Sequence, residues 1–218
     1  AVVDSTGRFL GLIPPHRLLG VLLLEHDEDM ARLGGFIHDT EAARTASEER
    51  VARRFWHRLP WLLVGLAGAI VAADLVGSFE RELESNVLLA FFVPGIVYMA
   101  DAVGTQTEAL IIRGLSVGVS IGRVARRELV TGLLVGAVLS AVLMPVVLLR
   151  WGQGDVALAV GLALFGACST ATAVAMLLPW ALHRAGRDPA FGSGPLATVV
   201  QDLLSILIYF SVASVVLP

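Results

Sequence analysis

Asp74, Asp101, Glu108 and Asp202 lie inside otherwise apolar stretches that contain no Lys, Arg or His. An ionised carboxylate in hydrocarbon costs roughly 2.5–3.5 kcal/mol even on lenient insertion scales, so such a side chain faces a partner or a water-filled cavity. The countercharge must come from outside these stretches, and a passing cation or proton can supply it. The acids are also patterned. Tyr98, Asp101, Thr105 and Glu108 recur at steps of three and four, as do Thr198, Asp202, Ser205 and Tyr209, which puts each set on one helical face. Two polar stripes of this kind face either a bundle interior, bonded to one another, or a water path.

The ligand types narrow the choice of cation. No apolar stretch holds an imidazole, and the one thiol, Cys168, lies on neither stripe. The soft and borderline ligands that favour zinc, copper or iron are therefore missing. Oxygen donors alone point to magnesium, calcium or manganese, and a sparse site built around Asp202 suits magnesium, which keeps its waters and is held by one or two carboxylates. Two copies of Asp202 across a twofold axis would balance one divalent charge, which motivates a homodimer with the pore at or beside its interface.

These residues require membrane-spanning helices to position them. Of the 218 residues, 56% are hydrophobic and only 16% charged, with a mean hydropathy of +0.77; soluble domains are rarely so apolar. Apolar runs at about 60–78, 86–112, 129–149, 156–182 and 196–217 approach or exceed the ~20 residues that cross a bilayer as helix. The fold class expected is an all-α membrane protein of five transmembrane helices with a short soluble α+β fragment in front. The second and fourth runs exceed the layer thickness, so tilt, or a break near Pro94, is expected.

Arginine supplies all 16 basic residues and is unevenly placed. Arg44, Arg50, Arg53, Arg54 and Arg58 precede the first run, Arg113, Arg123, Arg126 and Arg127 lie between the second and third, and Arg184 and Arg187 lie between the fourth and fifth; the alternate loops carry only Arg81 and Arg150. The positive-inside rule then puts the N-terminus in the cytoplasm and the C-terminus outside. Counting 1.5 Å per residue from Arg113 and Pro195 places Thr105 and Asp202 at one level, Asp101 nearer the midplane and Glu108 near the cytoplasmic mouth.

The front of the chain differs in character. Val2-Val3 and Phe9 through Ile13 flank a Ser5-Thr6-Gly7-Arg8 turn and read as a hairpin, followed by a helix from Pro15 to about Glu25. The domain division expected is 1–40 soluble fragment, 41–58 connector helix and 59–218 membrane domain. Thr45 and Glu48 have capping-box spacing at the connector's start, and its arginines with Phe55 and Trp56 suit a headgroup layer. It serves either as a plain connector or as a gating element. The first residue is not Met, which points to a cut or processed N-terminus, and no signal peptide is visible. Arg17, His26, Asp27, Glu28 and Asp29 read as surface charges. A single cysteine excludes an internal disulfide, and the small net charge of -3 without a basic stripe gives no case for nucleic acid. Ser169, Thr170 and Thr172, with Gly132 and Gly136, read as helix-contact positions. Asp74 reads as reaching the outer interface. Glu108 and Glu128 pair with Arg113, Arg126 or Arg127, or attract cations.

From Arg58 onward the chain resembles the membrane domain of MgtE-type magnesium transporters. The likeness rests on Arg58-Leu59-Pro60-Trp61, Pro94, Gly104-Thr105-Gln106, Arg113-Gly114-Leu115, Arg127-Glu128-Leu129, Asp188-Pro189-Ala190, Ser193-Gly194-Pro195, and Asp202 with Ile208-Tyr209-Phe210. The front resembles the tail of a CBS regulatory domain. The resemblance implies a homodimeric, multi-pass transporter in the cytoplasmic membrane, surrounded by lipid, carrying Mg2+ or a related divalent cation along a path lined by the second and fifth helices, and no enzyme. Its ion-binding aspartate falls on Asp202, and a backbone carbonyl that contributes one turn earlier falls on Thr198. The metal-site residues expected are therefore Asp202, Thr198, Asp101 and Thr105. The family's Gly-Gly-Asn is Ala100-Asp101-Ala102 here, so Asp101 supplies a charge one residue before the lost asparagine. With most of the family's Mg2+-sensing apparatus missing from this sequence, weaker closure by internal Mg2+ is expected. Two other classes remain: a proton-coupled carrier using Asp101 and Asp202, and an intramembrane aspartyl protease, for which the Gly-x-Gly-Asp context is absent.

Overall fold

The computed structural model describes residues 2–23, 50–116, 121–186 and 193–217. Strands β1 (Val2–Val3) and β2 (Phe9–Gly11) pair antiparallel. Between them Gly7 takes φ +81°, and Asp4 accepts hydrogen bonds from the Thr6 hydroxyl at 2.7 Å and from the Thr6 and Arg8 amides at 2.9 Å each. These bonds, the Thr6 hydroxyl first, hold the Asp4 carboxyl below its ordinary range. Residues 15–23 are helical; Glu25, the charges at 26–29, and Thr45 with Glu48 lie outside the described residues.

The remainder is helix: α1 (Val51–Gly77), α2 (Glu80–Ser85), α3 (Leu88–Ser116), α4 (Ile121–Trp151), α5 (Gly154–Arg184) and α6 (Ser193–Val216). All but α2 are long and apolar enough to cross a membrane, five among the described residues, and the chain is a multi-pass membrane protein. Lipid offers no hydrogen-bond partners, so a spanning backbone must close its own bonds as helix. For the same reason α3 runs unbroken through Pro94 and α1, α4 and α5 through Pro60, Pro145 and Pro179; the break considered at Pro94 does not occur. Helix α1 also begins at Val51 and passes Arg58 without interruption, so residues 51–58 join the first span directly.

Helix α5 occupies the centre, packed on α3, α4 and α6. Its inner positions are small: Ala157, Ala159, Gly161, Ala163, Ala167, Cys168 and Ala171 are all buried, which lets neighbouring backbones approach. The expected contact positions on α4 and α5 meet, since Gly132 abuts Thr172 and Gly136 abuts Phe165 and Cys168. Thr172 and Ser169 turn their hydroxyls onto the Cys168 and Phe165 carbonyls. Helix α1 packs chiefly on α6 and is otherwise peripheral.

At the end away from the arginines, α2 covers the bundle. Phe79 stacks on Phe210 at 4.8 Å, Ser214 donates to Glu82 at 3.0 Å, and Asn86 donates to Gln153 at 2.7 Å. Beneath them Leu89, Ile96, Ala100, Val160, Tyr209 and Phe210 form a buried core. This core fills the bundle from one side and leaves its arginine-rich end as the place where helices can part.

Candidate metal site between α1, α3 and α6

At the arginine-rich end a cavity of about 910 Å3 opens among the N-terminal part of α1, the C-terminal part of α3 and the start of α6. Its walls include Asp202, Thr198 and Thr105, together with Glu108, Arg58 and Trp61. Three of the four expected metal-site residues thus share one space. The fourth, Asp101, accepts a hydrogen bond from the Thr198 hydroxyl at 3.1 Å. The two stripes do converge, because α3 and α6 pack directly on each other.

Their close approach has a local cause. Gly104 sits where any Cβ would overlap the side chain of Gln201, which is only 2% exposed. Removing the side chain at 104 admits Gln201 between the helices, and the next residue, Asp202, then turns toward the cavity. Sequence reasoning quoted Gly104 as part of a motif and overlooked Gln201, a polar residue beside the stripe rather than on it.

Asp101 meets the Thr198 side chain, which lies one helical turn before Asp202 on α6. Helix α3 continues past Arg113 to Ser116, and α6 begins at Ser193.

The outer parts of both stripes do something else. Tyr98 is 70% exposed on the surface of the single chain, whereas Ser205 and Tyr209 are buried. The Tyr209 hydroxyl donates to the Leu89 carbonyl at 2.8 Å, an interhelical bond of the kind that buried tyrosines make. Of the two stripes, Thr105, Glu108, Thr198 and Asp202 line the cavity. Glu108 is 4% exposed and belongs to the cavity wall, while Glu128 accepts a long bond from Thr107 at 3.4 Å. Asp74 is exposed near the end of α1 and lies outside the cavity.

Two features limit the chemistry available. Among the described residues no three His, Cys, Asp or Glu converge, so one chain builds no cage for a bare ion. Asp202, moreover, forms no ion pair among the described residues, even though Arg58 shares its cavity. A wide, largely apolar space with a few oxygen donors and sparse carboxylates suits a cation that retains water, and six waters at about 30 Å3 each need only roughly 180 Å3.

Fold and site together define a multi-pass membrane protein with an acid-lined cavity between its helices. The chain matches the MgtE family, described as a divalent cation transporter, over residues 93–212, and it belongs to that family. It is 32% identical over 221 residues to the magnesium transporter MgtE of Bacillus subtilis, covering 98% of this chain and 47% of that one. It is 33% identical over 222 residues to the magnesium transporter MgtE of Thermus thermophilus, covering 99% and 48%. The corresponding protein of Enterococcus faecalis is 30% identical over 217 residues, at 98% and 47%. The chain spans about half the length of these relatives.

Proposed function

We propose that this chain conducts Mg2+ across the cytoplasmic membrane as a homodimer, with Asp202 binding the hydrated ion and Thr198, Thr105 and Asp101 completing the polar wall. The carrying observation is the convergence of Asp202, Thr198 and Thr105 on one cavity, with Asp101 tied to it through the Thr198 hydroxyl. A carboxylate that attracts the ion through its water shell removes little hydration, which suits a cation that dehydrates reluctantly. Two copies of Asp202 across a twofold axis would balance one divalent charge, and the sequence similarity to three proteins named as magnesium transporters supports the choice of ion. The arginine-rich end faces the cytoplasm in this reading.

The test is Mg2+ uptake into liposomes carrying the purified chain. Asp202→Ala is expected to lower uptake at least about tenfold, the factor that 1.4 kcal/mol of lost ion binding produces, while Asp74→Ala retains most of it. Wild-type-like uptake by Asp202→Ala removes the site assignment.

The Asp101–Thr198 bond, which brings a second acid to the turn before Asp202 on α6, favours one other reading, a carrier in which these acids exchange protons for the ion. Uptake that follows an imposed proton gradient at fixed membrane potential selects that reading; uptake indifferent to it selects the channel-like one.

A further inference from the structure

A second recess lies away from the acids, on the outer face between the start of α4 and the end of α5. It has a volume of about 270 Å3 and is lined by Ala125, Leu129, Ala173, Met176, Leu177 and Trp180, all apolar apart from the indole N–H. Contacts of Gly132 with Thr172 and of Gly161 with Met144 show that α4 and α5 run antiparallel. The recess therefore sits at the arginine-rich end of both helices. Leu177 and Leu129 are exposed on this face.

Its rim is cationic. Arg184 follows Trp180 by one turn on the same face of α5, and its guanidinium carbon lies 5.4 Å from the centre of the Trp180 ring. Arg126 follows Ala125 on α4 and is exposed, as is Arg184. No ion pair joins either of them to a carboxylate among the described residues. An apolar slot that ends in a tryptophan and two arginines at the edge of a membrane-spanning bundle presents one ligand pattern: an acyl chain below and an anionic phosphate group above.

We propose that this recess is a binding site for an anionic glycerophospholipid, with one acyl chain in the slot between α4 and α5 and the headgroup phosphate on Arg184 and Arg126. The arginine that stacks on Trp180 is held in the orientation that meets the phosphate. Neither residue touches the ion cavity, so the site concerns how the bundle is seated in lipid and stands apart from the transport reading.

The experiment uses the full chain with Trp56, Trp61 and Trp151 replaced by phenylalanine, so that Trp180 is the sole indole. The protein is reconstituted into vesicles of phosphatidylcholine and phosphatidylglycerol in which either one lipid or the other is brominated, at equal mole fraction. Brominated phosphatidylglycerol is expected to quench Trp180 several-fold more effectively, since attraction to an anionic surface amounts to roughly fivefold enrichment per nearby arginine. Arg126→Gln with Arg184→Gln is expected to abolish the preference. Equal quenching by the two lipids overturns the proposal, as does a preference that survives both arginine substitutions, which would reflect general surface charge. Absence of quenching by either lipid also overturns it and assigns the face to a second copy of the chain. If the triple replacement does not fold, the difference in quenching between the unaltered chain and Trp180→Phe gives the same reading.

Discussion

Thr198 is the residue that ties Asp101 to the cavity wall. Its hydroxyl lies 3.1 Å from Asp101, and a hydrogen bond to a charged group contributes about 1.5–3 kcal/mol. Thr198→Val keeps the shape and removes the donor, so it is expected to weaken half-saturation by Mg2+ by roughly tenfold, less than the loss from Asp202→Ala. In a double-mutant cycle with Asp101→Asn the two effects are expected to be non-additive, because they share one bond; additive losses in measured flux would show that the bond has no part in transport. Asp4 supports a separate prediction at the opposite extreme of exposure. Its folded carboxyl titrates below the ordinary aspartate range, so the turn is stabilised at pH above the unfolded value and loses that stabilisation as pH falls through the lower folded one. The amide resonances of Thr6 and Arg8 should therefore shift with a midpoint below that of an aspartate in an unstructured peptide, and a midpoint at or above it would contradict the turn geometry.

At the scale of elements, the site depends on how closely α3 and α6 approach. Gly104 and Gln201 occupy the same space to within a missing side chain, and forcing extra atoms into such a contact costs about 1–3 kcal/mol. Gly104→Ala is expected to lower the thermal unfolding temperature and to reduce flux by parting the helices. Adding Gln201→Ala should restore most of both, because it vacates the volume the new methyl needs. Failure of the second substitution to rescue would place the strain elsewhere. The α1 helix presents the contrasting case. It contacts mainly α6, yet it carries Arg58, Trp61 and Leu62 into the cavity wall. A helix held by one neighbour can shift with less loss of packing than the central α5, so the wall it supplies is the mobile one to probe in hydrogen exchange.

For the whole molecule, the open question is how many chains make one path. One chain offers a single Asp202, and among the described residues no cluster of three ligating side chains, so a path that uses two copies of Asp202 must draw the second from another protomer. If two protomers meet at this residue, co-expressing equal amounts of wild type and Asp202→Ala should leave roughly a quarter of the flux when both carboxylates are needed, since random twofold assembly makes only that share of intact pairs. Half the wild-type flux would indicate that each chain works alone. The chain belongs to the MgtE family and matches its relatives over about half their length, and the dimer experiment needs only the part present here.

The number of spans, the face on which the acids lie and the hairpin at Gly7 were all legible in the sequence, whereas the starts of α1 at Val51 and α4 at Ile121 lie eight or nine residues before the apolar runs. Each follows from a local rule: length of apolar run, helical period or turn chemistry. What the period could not decide was the partner of each face. That Tyr209 bonds Leu89, that Glu108 and Arg58 share one cavity wall, and that Asp101 meets the Thr198 hydroxyl depend on the register between α3 and α6. That register is set by volumes meeting across a contact between residues about a hundred positions apart, Gly104 against Gln201 above all. A helix period repeats identically along the chain and carries no mark of where a neighbour will stop sliding, so only the packed structure could fix it.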